Sequence, residues 1–286
     1  MEWTWDIYIK EMKKWLLSIP KILHIYWGGN QLLYLRYLTV TTFMKYNPDW
    51  QVVLWYPVES FTGKSWGVEH NYLPLNMKLC KDYLPELMKL SITKMPVDFS
   101  ELGFRYNTPE VHKADFIRIN VMHLYGGVWS DMDILYFKPI TELKVNRKGN
   151  KNKNVYVCMS PSYGHSTGFN MSIPDSQFFG TLKDNLNNNY VSNGYQCWGP
   201  DIFNKYFKTL DSIPDAVNLD MDAVYAHDCY TMTELLQDVP PRFTDGSIGC
   251  HWYAGHSMWG GFFNKTRGGK INLPNNIIGN LIRNAI

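Results

Sequence analysis

The stretch ADFIRINVMHLYGGVWSDMDI, from Ala114 to Ile134, constrains the fold of this chain more than any other. Pro109-Glu110 opens an amphipathic helical pattern that runs to about Tyr125, with proline favoured in the first turn. Gly126-Gly127 then ends the helix and permits a sharp turn into a strand, Val128 to Asp133, continued by Ile134 to Phe137. Asp115 and Arg118, three residues apart, share one helix face, where a structural ion pair is the plain alternative to a ligand contact. Asp131 and Asp133 stand at i and i+2, so a regular strand would point both carboxylates to one side. Such a like-charge pair is costly unless a cation joins it. Hard oxygen ligands favour Mn²⁺ or Mg²⁺, ions that are commonly shared with substrate phosphates.

The flanking sequence predicts an α/β chain. Ile22 to Trp27 is a short apolar run closed by Gly28-Gly29-Asn30, Leu32 to Tyr46 is helical, and Gln51 to Tyr56 is β-branched and aromatic. This β–α–β opening is the unit of a parallel sheet. Residues 57–108 carry short helical patterns near Asn76–Leu90, interrupted by Pro74, Pro85 and Pro96. Val155 to Ser160 reads as a strand, Tyr163 to Asn170 as a loop, and Ser176–Asn187 and Pro200–Thr209 as helices. Arg147 to Asn154 reads as a solvated basic loop, and the last third has weak periodicity. The expected organisation is an amphipathic N-terminal helix over 1–18, a single catalytic domain over 19–265 and a tail over 266–286.

Composition excludes several classes. Hydrophobic residues make up 45% and charged residues 19%, which predicts a packed core. A formal net charge of +2 gives no support to nucleic-acid binding. Eleven Trp and 19 Tyr suit either a large aromatic core or stacking on bases and sugars. Five cysteines with no CxxC argue against a disulfide framework or zinc ribbon and for a reducing compartment. No apolar run predicts a transmembrane helix, and residues 1–20 lack signal-peptide features. The first helix is expected to dock on the domain itself, with peripheral membrane contact as the alternative.

The central segment resembles the signature of the DXD-containing glycosyltransferases. These include glycosyltransferase family 32 (capsular, mannosyl and α-1,4-galactosyl types) and, more distantly, the glucosyltransferase domains of large clostridial toxins. IPKILHIYWGGN, ending at Asn30, is similar to the opening strand of these families, and HWYAGHSMW, from His251 to Trp259, to their closing element. Cys197-Trp198-Gly199-Pro200 is similar to an element between the two. Trp129 stands where those families usually have Tyr.

The resemblance implies a GT-A fold, a Rossmann-like single domain. Trp27, beside Gly28, would stack on the donor base, while Asp115 and Arg118 would contact the donor sugar and phosphates. Asp131 would meet the ribose and the metal's water shell, and Asp133 would bind the metal. His251 and Ser257 would complete the metal site, and Trp259 would touch the leaving diphosphate. The implied reaction is metal-dependent transfer of a hexose or pentose from a nucleotide sugar to a glycan, with retention of configuration. A UDP-sugar is the first expected donor and GDP-mannose the second. The expected location is the cytoplasm of a bacterial or viral system, the host cytoplasm in the viral case. Asp201, Asp228 and His165 are the acid–base candidates should the enzyme invert. An inactive nucleotide-sugar- or carbohydrate-binding protein and a sugar-nucleotide phosphohydrolase fit the same residues and remain open.

Overall fold

The computed structural model describes residues 19–59, 80–104, 108–144, 154–192, 194–266 and 273–285. The N-terminal amphipathic pattern and the basic stretch 147–153 lie outside them. The chain opens with strand β1 (Ile22–Tyr26), helix α1 (Tyr34–Tyr46) and strand β2 (Gln51–Pro57), paired parallel as the alternating pattern predicts. Helix α2 (Leu84–Lys89) and strand β3 (Thr93–Val97) follow, then α3 (Glu110–Leu124), β4 (Gly127–Ser130) and β5 (Ile134–Tyr136). The second half contributes β6 (Val155–Ser160), β7 (Gly164–Ser172), α4 (Gln177–Asp184) and α5 (Pro200–Tyr206). It ends with β8 (Ala216–Leu219), α6 (Asp222–Tyr225), β9 (Gly249–His251), α7 (Trp259–Thr266) and α8 (Ile277–Ala285).

Among the described residues, seven strands form one sheet in the order β3-β2-β1-β4-β7-β6-β8, in which β7 alone runs antiparallel to its neighbours. β1 lies between β2, reached through α1, and β4, reached only after β2, β3 and α3. The chain therefore reverses direction across the sheet between β1 and β4, the crevice where open α/β sheets take ligands at their strand ends. Apolar side chains cover both faces. Ile25, Phe43, Val128, Phe169 and Val224 belong to one buried cluster, and Ile119, Trp129, Phe178 and Phe203 to the other. A third cluster joins Leu35 and Leu38 of α1 to Trp252, Trp259, Ile278 and Ile282. Residues 277–285, a tail by sequence, thus form a helix packed into the core.

Three elements differ from the sequence expectation. Pro96 hides β3 in the sequence, yet among the described residues β3 is the edge strand and pairs only with β2, where a missing N–H is tolerated. Tyr163–Asn170 is not a loop: from Gly164 it is strand β7, which pairs with both β4 and β6. The expected strand Val128–Asp133 stops at Ser130, and Ile134–Tyr136 leaves the main sheet to pair with β9.

The turn between α3 and β4 needs its glycines. Gly126 and Gly127 have φ of +61° and +92°, and a Cβ on Gly127 would lie 2.5 Å from the Ile22 carbonyl oxygen. Beside this turn His24 is buried, accepting from the Trp55 indole N–H at Nδ1 (3.1 Å) and donating from Nε2 to the Gly126 carbonyl (3.1 Å). That arrangement requires the neutral ring. Burial drives the His24 pKa down to about 4, only partly opposed by the Gly126 carbonyl. Because the folded pKa lies below the unfolded one, His24 contributes stability in full above about pH 6.5 and loses it as the pH falls toward 4. The loss should reach roughly 3 kcal/mol. Denaturant midpoints at pH 7 and 4.5 should show this drop in the wild type and a flatter dependence in His24→Gln. An equal drop in both would assign it to other groups.

Candidate active site

The interruption between β4 and β5 at Asp131–Asp133 builds the site. β4 delivers Asp131 to the crevice, where its backbone N–H donates to the Gly168 carbonyl (2.8 Å) on β7. β5 then turns away with β9 in antiparallel register, Ile134 opposite His251. That pairing sets His251 beside Asp133, with Nε2 3.1 Å from Asp133 Oδ1. The Asp133 carbonyl accepts from the Trp252 N–H (2.9 Å), and Asp133 Oδ2 accepts from the Ala254 N–H (2.9 Å). Asp131, Asp133 and His251 each offer a ligand atom, all within 4.8 Å of one another. The carboxylates meet because a turn brings them together, not because they share one face of a strand.

Burial would raise the Asp133 carboxyl, but the adjacent His251, the charge of Arg36 and the Ala254 N–H hold it well below the usual carboxylate range. Burial would lower His251, and Asp133 overcomes this to hold the imidazole above its ordinary value. Two oxygen donors and one imidazole suit Mn²⁺ or Mg²⁺. His251 Nδ1 is buried without a hydrogen-bond partner among the described residues, and Asp133 Oδ1 meets the His251 imidazole as an ion pair without hydrogen-bond geometry, so this polar group is incompletely satisfied by protein. The residues fit a divalent ion.

Beside this group lies a buried charge network. Arg118 Nη1 is 2.9 Å from Asp115 Oδ1, and Nη2 donates to Asp131 Oδ1 (3.3 Å), which also accepts from the Trp129 indole (2.8 Å). The guanidinium lies 5.3 Å from the centre of the Trp129 ring. Burial pushes the Asp115 carboxyl up to about 7, with Asp131 adding to the rise and Arg118 opposing it. Arg118 Nε has no acceptor among the described residues, and Nη1 meets Asp115 as an ion pair without hydrogen-bond geometry. The ion pair expected from spacing is therefore real, and it still leaves buried donors unmet.

The other sequence-predicted residues have varied surroundings. Trp27, at the end of β1, is partly buried with Gly29 packed against its ring. Gly28 is buried, and a Cβ there would clash with Glu110 and Tyr26. Ser257 lies half-buried in the turn before α7. Trp259 is fully buried among Trp252, Phe262 and Phe263, and its indole N–H donates to the Tyr253 carbonyl (3.0 Å). A diphosphate contact from Trp259 would require exchanging that bond. His165 is a core residue, its Nε2 2.8 Å from the Phe207 carbonyl, and burial lowers its pKa. Asp228 accepts from Tyr230 and Thr231, holding a turn. Asp201 is exposed in the first turn of α5.

Sequence reasoning passed over Gly168 and Tyr225. A Cβ on Gly168 would come within 2.8 Å of Asp131 Oδ2 and 2.9 Å of the Tyr225 hydroxyl, so only glycine lets β7 approach the carboxylate. Tyr225 packs 5.0 Å from the His251 ring, and its buried hydroxyl has no partner among the described residues. No periodic or motif signal marks either residue. The five cysteines are all free.

A mostly parallel sheet gathers Asp131, Asp133 and His251 at its switch point, the place where open α/β sheets take ligands. Residues 36–153 match the family described as "Glycosyltransferase sugar-binding region containing DXD motif". The matched residues include Asp115, Arg118, Asp131 and Asp133, and the fold is of GT-A type. Among solved structures, the chain is similar to the bifunctional glycosyltransferase WbbM, at 12% identity and TM-score 0.50 over 93% of this chain and 50% of that one. It is also similar to the galactosyltransferase LgtC (13%, TM-score 0.46, 86% and 95%) and to the PaToxG glycosyltransferase (16%, TM-score 0.46, 72% and 77%). No curated protein matches the chain by sequence.

Proposed function

We propose that the protein transfers a hexose or pentose from a nucleoside diphosphate sugar to a glycan hydroxyl. A UDP-sugar is the first donor expected and GDP-mannose the second. The observation that carries this reading is the convergence of Asp131, Asp133 and His251 at the strand ends, beside the Asp115–Arg118 pair. In the reaction the bond between the anomeric carbon and the diphosphate oxygen breaks, a bond to the acceptor oxygen forms, and the acceptor proton is released. A divalent ion at the three ligands would supply Lewis-acid stabilisation of the charge on the departing diphosphate. Arg118, buried and fixed by Asp115 and Asp131, presents donors toward sugar hydroxyls or phosphate, and Asp115 accepts from hydroxyls. Trp27 would stack on the base, with Gly28 in the turn that follows it, and Ser257 would complete the metal group. Fixing the donor in one pose supplies much of the remaining barrier reduction. Retention of configuration is the stereochemical outcome we favour.

The test is a panel of UDP- and GDP-sugars with Mn²⁺, measuring nucleoside diphosphate release with and without a glycan acceptor. Release from one donor, abolished by EDTA and restored by excess Mn²⁺, is the expected result. Release that survives EDTA would overturn the metal assignment. Absence of release together with absence of UDP and GDP binding would overturn the transferase reading.

Among the described residues no helix is long and apolar enough to cross a membrane. We place the reaction in the cytoplasm, in keeping with the free cysteines.

A further inference from the structure

Arg36 occupies the first turn of α1, an unusual place for a cation. The macrodipole gives that end of a helix positive character and disfavours a second positive charge. α1 is 13 residues long, has no acidic residue in its first turn and no side-chain cap. The guanidinium is held between two indoles, 4.7 Å from the Trp27 ring centre and 5.7 Å from that of Trp252. It is close enough to the metal group for its charge to act on both Asp133 and His251. Around it the indole N–H groups of Trp27 and Trp252 are buried with no acceptor among the described residues, and Trp252 is fully buried. The uncapped helix start and the two unmet indole N–H donors leave room in this corner for acceptors, beside the positive charge of Arg36. Each buried unmet donor costs roughly 1–3 kcal/mol, a cost that a multi-oxygen anion offsets. Guanidinium faces stack on aromatic rings, while the in-plane fork takes phosphate oxygens.

We infer that Arg36 contacts the diphosphate of the nucleotide donor, as a permanent cation on the α1 side of the metal group. This rests on the nucleotide-sugar reading above and adds a residue to it. The arrangement divides the work: the carboxylate and imidazole ligands hold the ion, and Arg36 meets anionic oxygens directly. Its stacking on Trp27 also couples diphosphate recognition to the ring expected to meet the base.

The experiment compares wild type, Arg36→Met and Arg36→Lys for thermal midpoint and for Mn²⁺-dependent binding of UDP by calorimetry. Binding of uridine is followed by tryptophan fluorescence, and GDP and guanosine replace the pair if GDP is the nucleotide bound. Arg36→Met should weaken UDP roughly 10- to 100-fold, equivalent to about 1.4–2.8 kcal/mol, while uridine changes less than about 3-fold. Arg36→Lys should recover part of the UDP affinity. If Arg36 only props the Trp27 ring, uridine and UDP weaken together, and that outcome overturns the inference. UDP binding unchanged in both variants overturns it as well. Should Arg36→Met fail to fold, Arg36→Lys carries the comparison, since loss of the planar fork must still weaken UDP more than uridine. A wild type that binds neither UDP nor GDP would instead overturn the functional reading on which the inference rests.

Discussion

Asp133→Asn is expected to lower metal-dependent nucleoside diphosphate release by roughly 10³-fold while leaving the fold intact. Asp133 is the pivot of the metal group. One carboxylate oxygen lies 3.1 Å from His251 Nε2, and the other accepts the Ala254 N–H. Asparagine keeps the shape but removes the charge that a divalent ion needs. It also exchanges an ion pair with His251 for a neutral contact. The loss should therefore fall on metal affinity as well as on turnover, and excess Mn²⁺ should restore little. Calorimetric titration of Mn²⁺ separates the two quantities. Wild-type turnover in Asp133→Asn would remove Asp133 from the machinery and, with it, the strongest argument for the site.

The second large effect is on stability. Arg118→Ala should destabilise the protein by about 3–5 kcal/mol at a pH high enough to keep Asp115 ionised, because it leaves a buried carboxylate without its partner. Asp115 is 3% exposed and Arg118 4%, and the same guanidinium serves Asp131. For a chain of this length, that corresponds to a fall in thermal midpoint of roughly 10 °C. The cost should shrink as the pH falls, since a buried carboxyl freed of its cation can take up a proton instead. Replacing both partners, as in Asp115→Asn with Arg118→Met, should recover part of the loss. A midpoint within about 2 °C of wild type in Arg118→Ala would show that the pair acts on ligand alone.

The parallel half of the fold was legible in the chain because its signals are local. The apolar runs of β1 and β2, the helix between them and the Gly126-Gly127 stop each specify structure within a few residues. The site was legible in part for the same reason: Asp115 and Arg118 meet at helical spacing, and Asp131 and Asp133 lie within one turn. What could not be read depends on partners distant in sequence. β5 has three residues and is defined by its pairing with β9, so nothing local separates it from β4. β3 carries a proline that only its edge position makes acceptable. β7 holds Gly164 and Gly168 and reads as a loop, although the second glycine is what lets the strand approach Asp131. The resemblance makes Trp259 a diphosphate contact, and the bond from its indole N–H to the Tyr253 carbonyl is a partner that no motif announces.

The β5–β9 ribbon has a consequence for the order of assembly. It draws a ligand from the first half of the chain against one from the last third, and the contact between Asp133 and Ala254 spans 121 positions. Closing so long a loop is entropically costly and comes late unless something tethers its ends. The parallel strands can therefore form while Asp133 and His251 are still far apart, and an ion held by both would act as a clasp across that loop. Its occupancy would then report that the last third of the chain has docked.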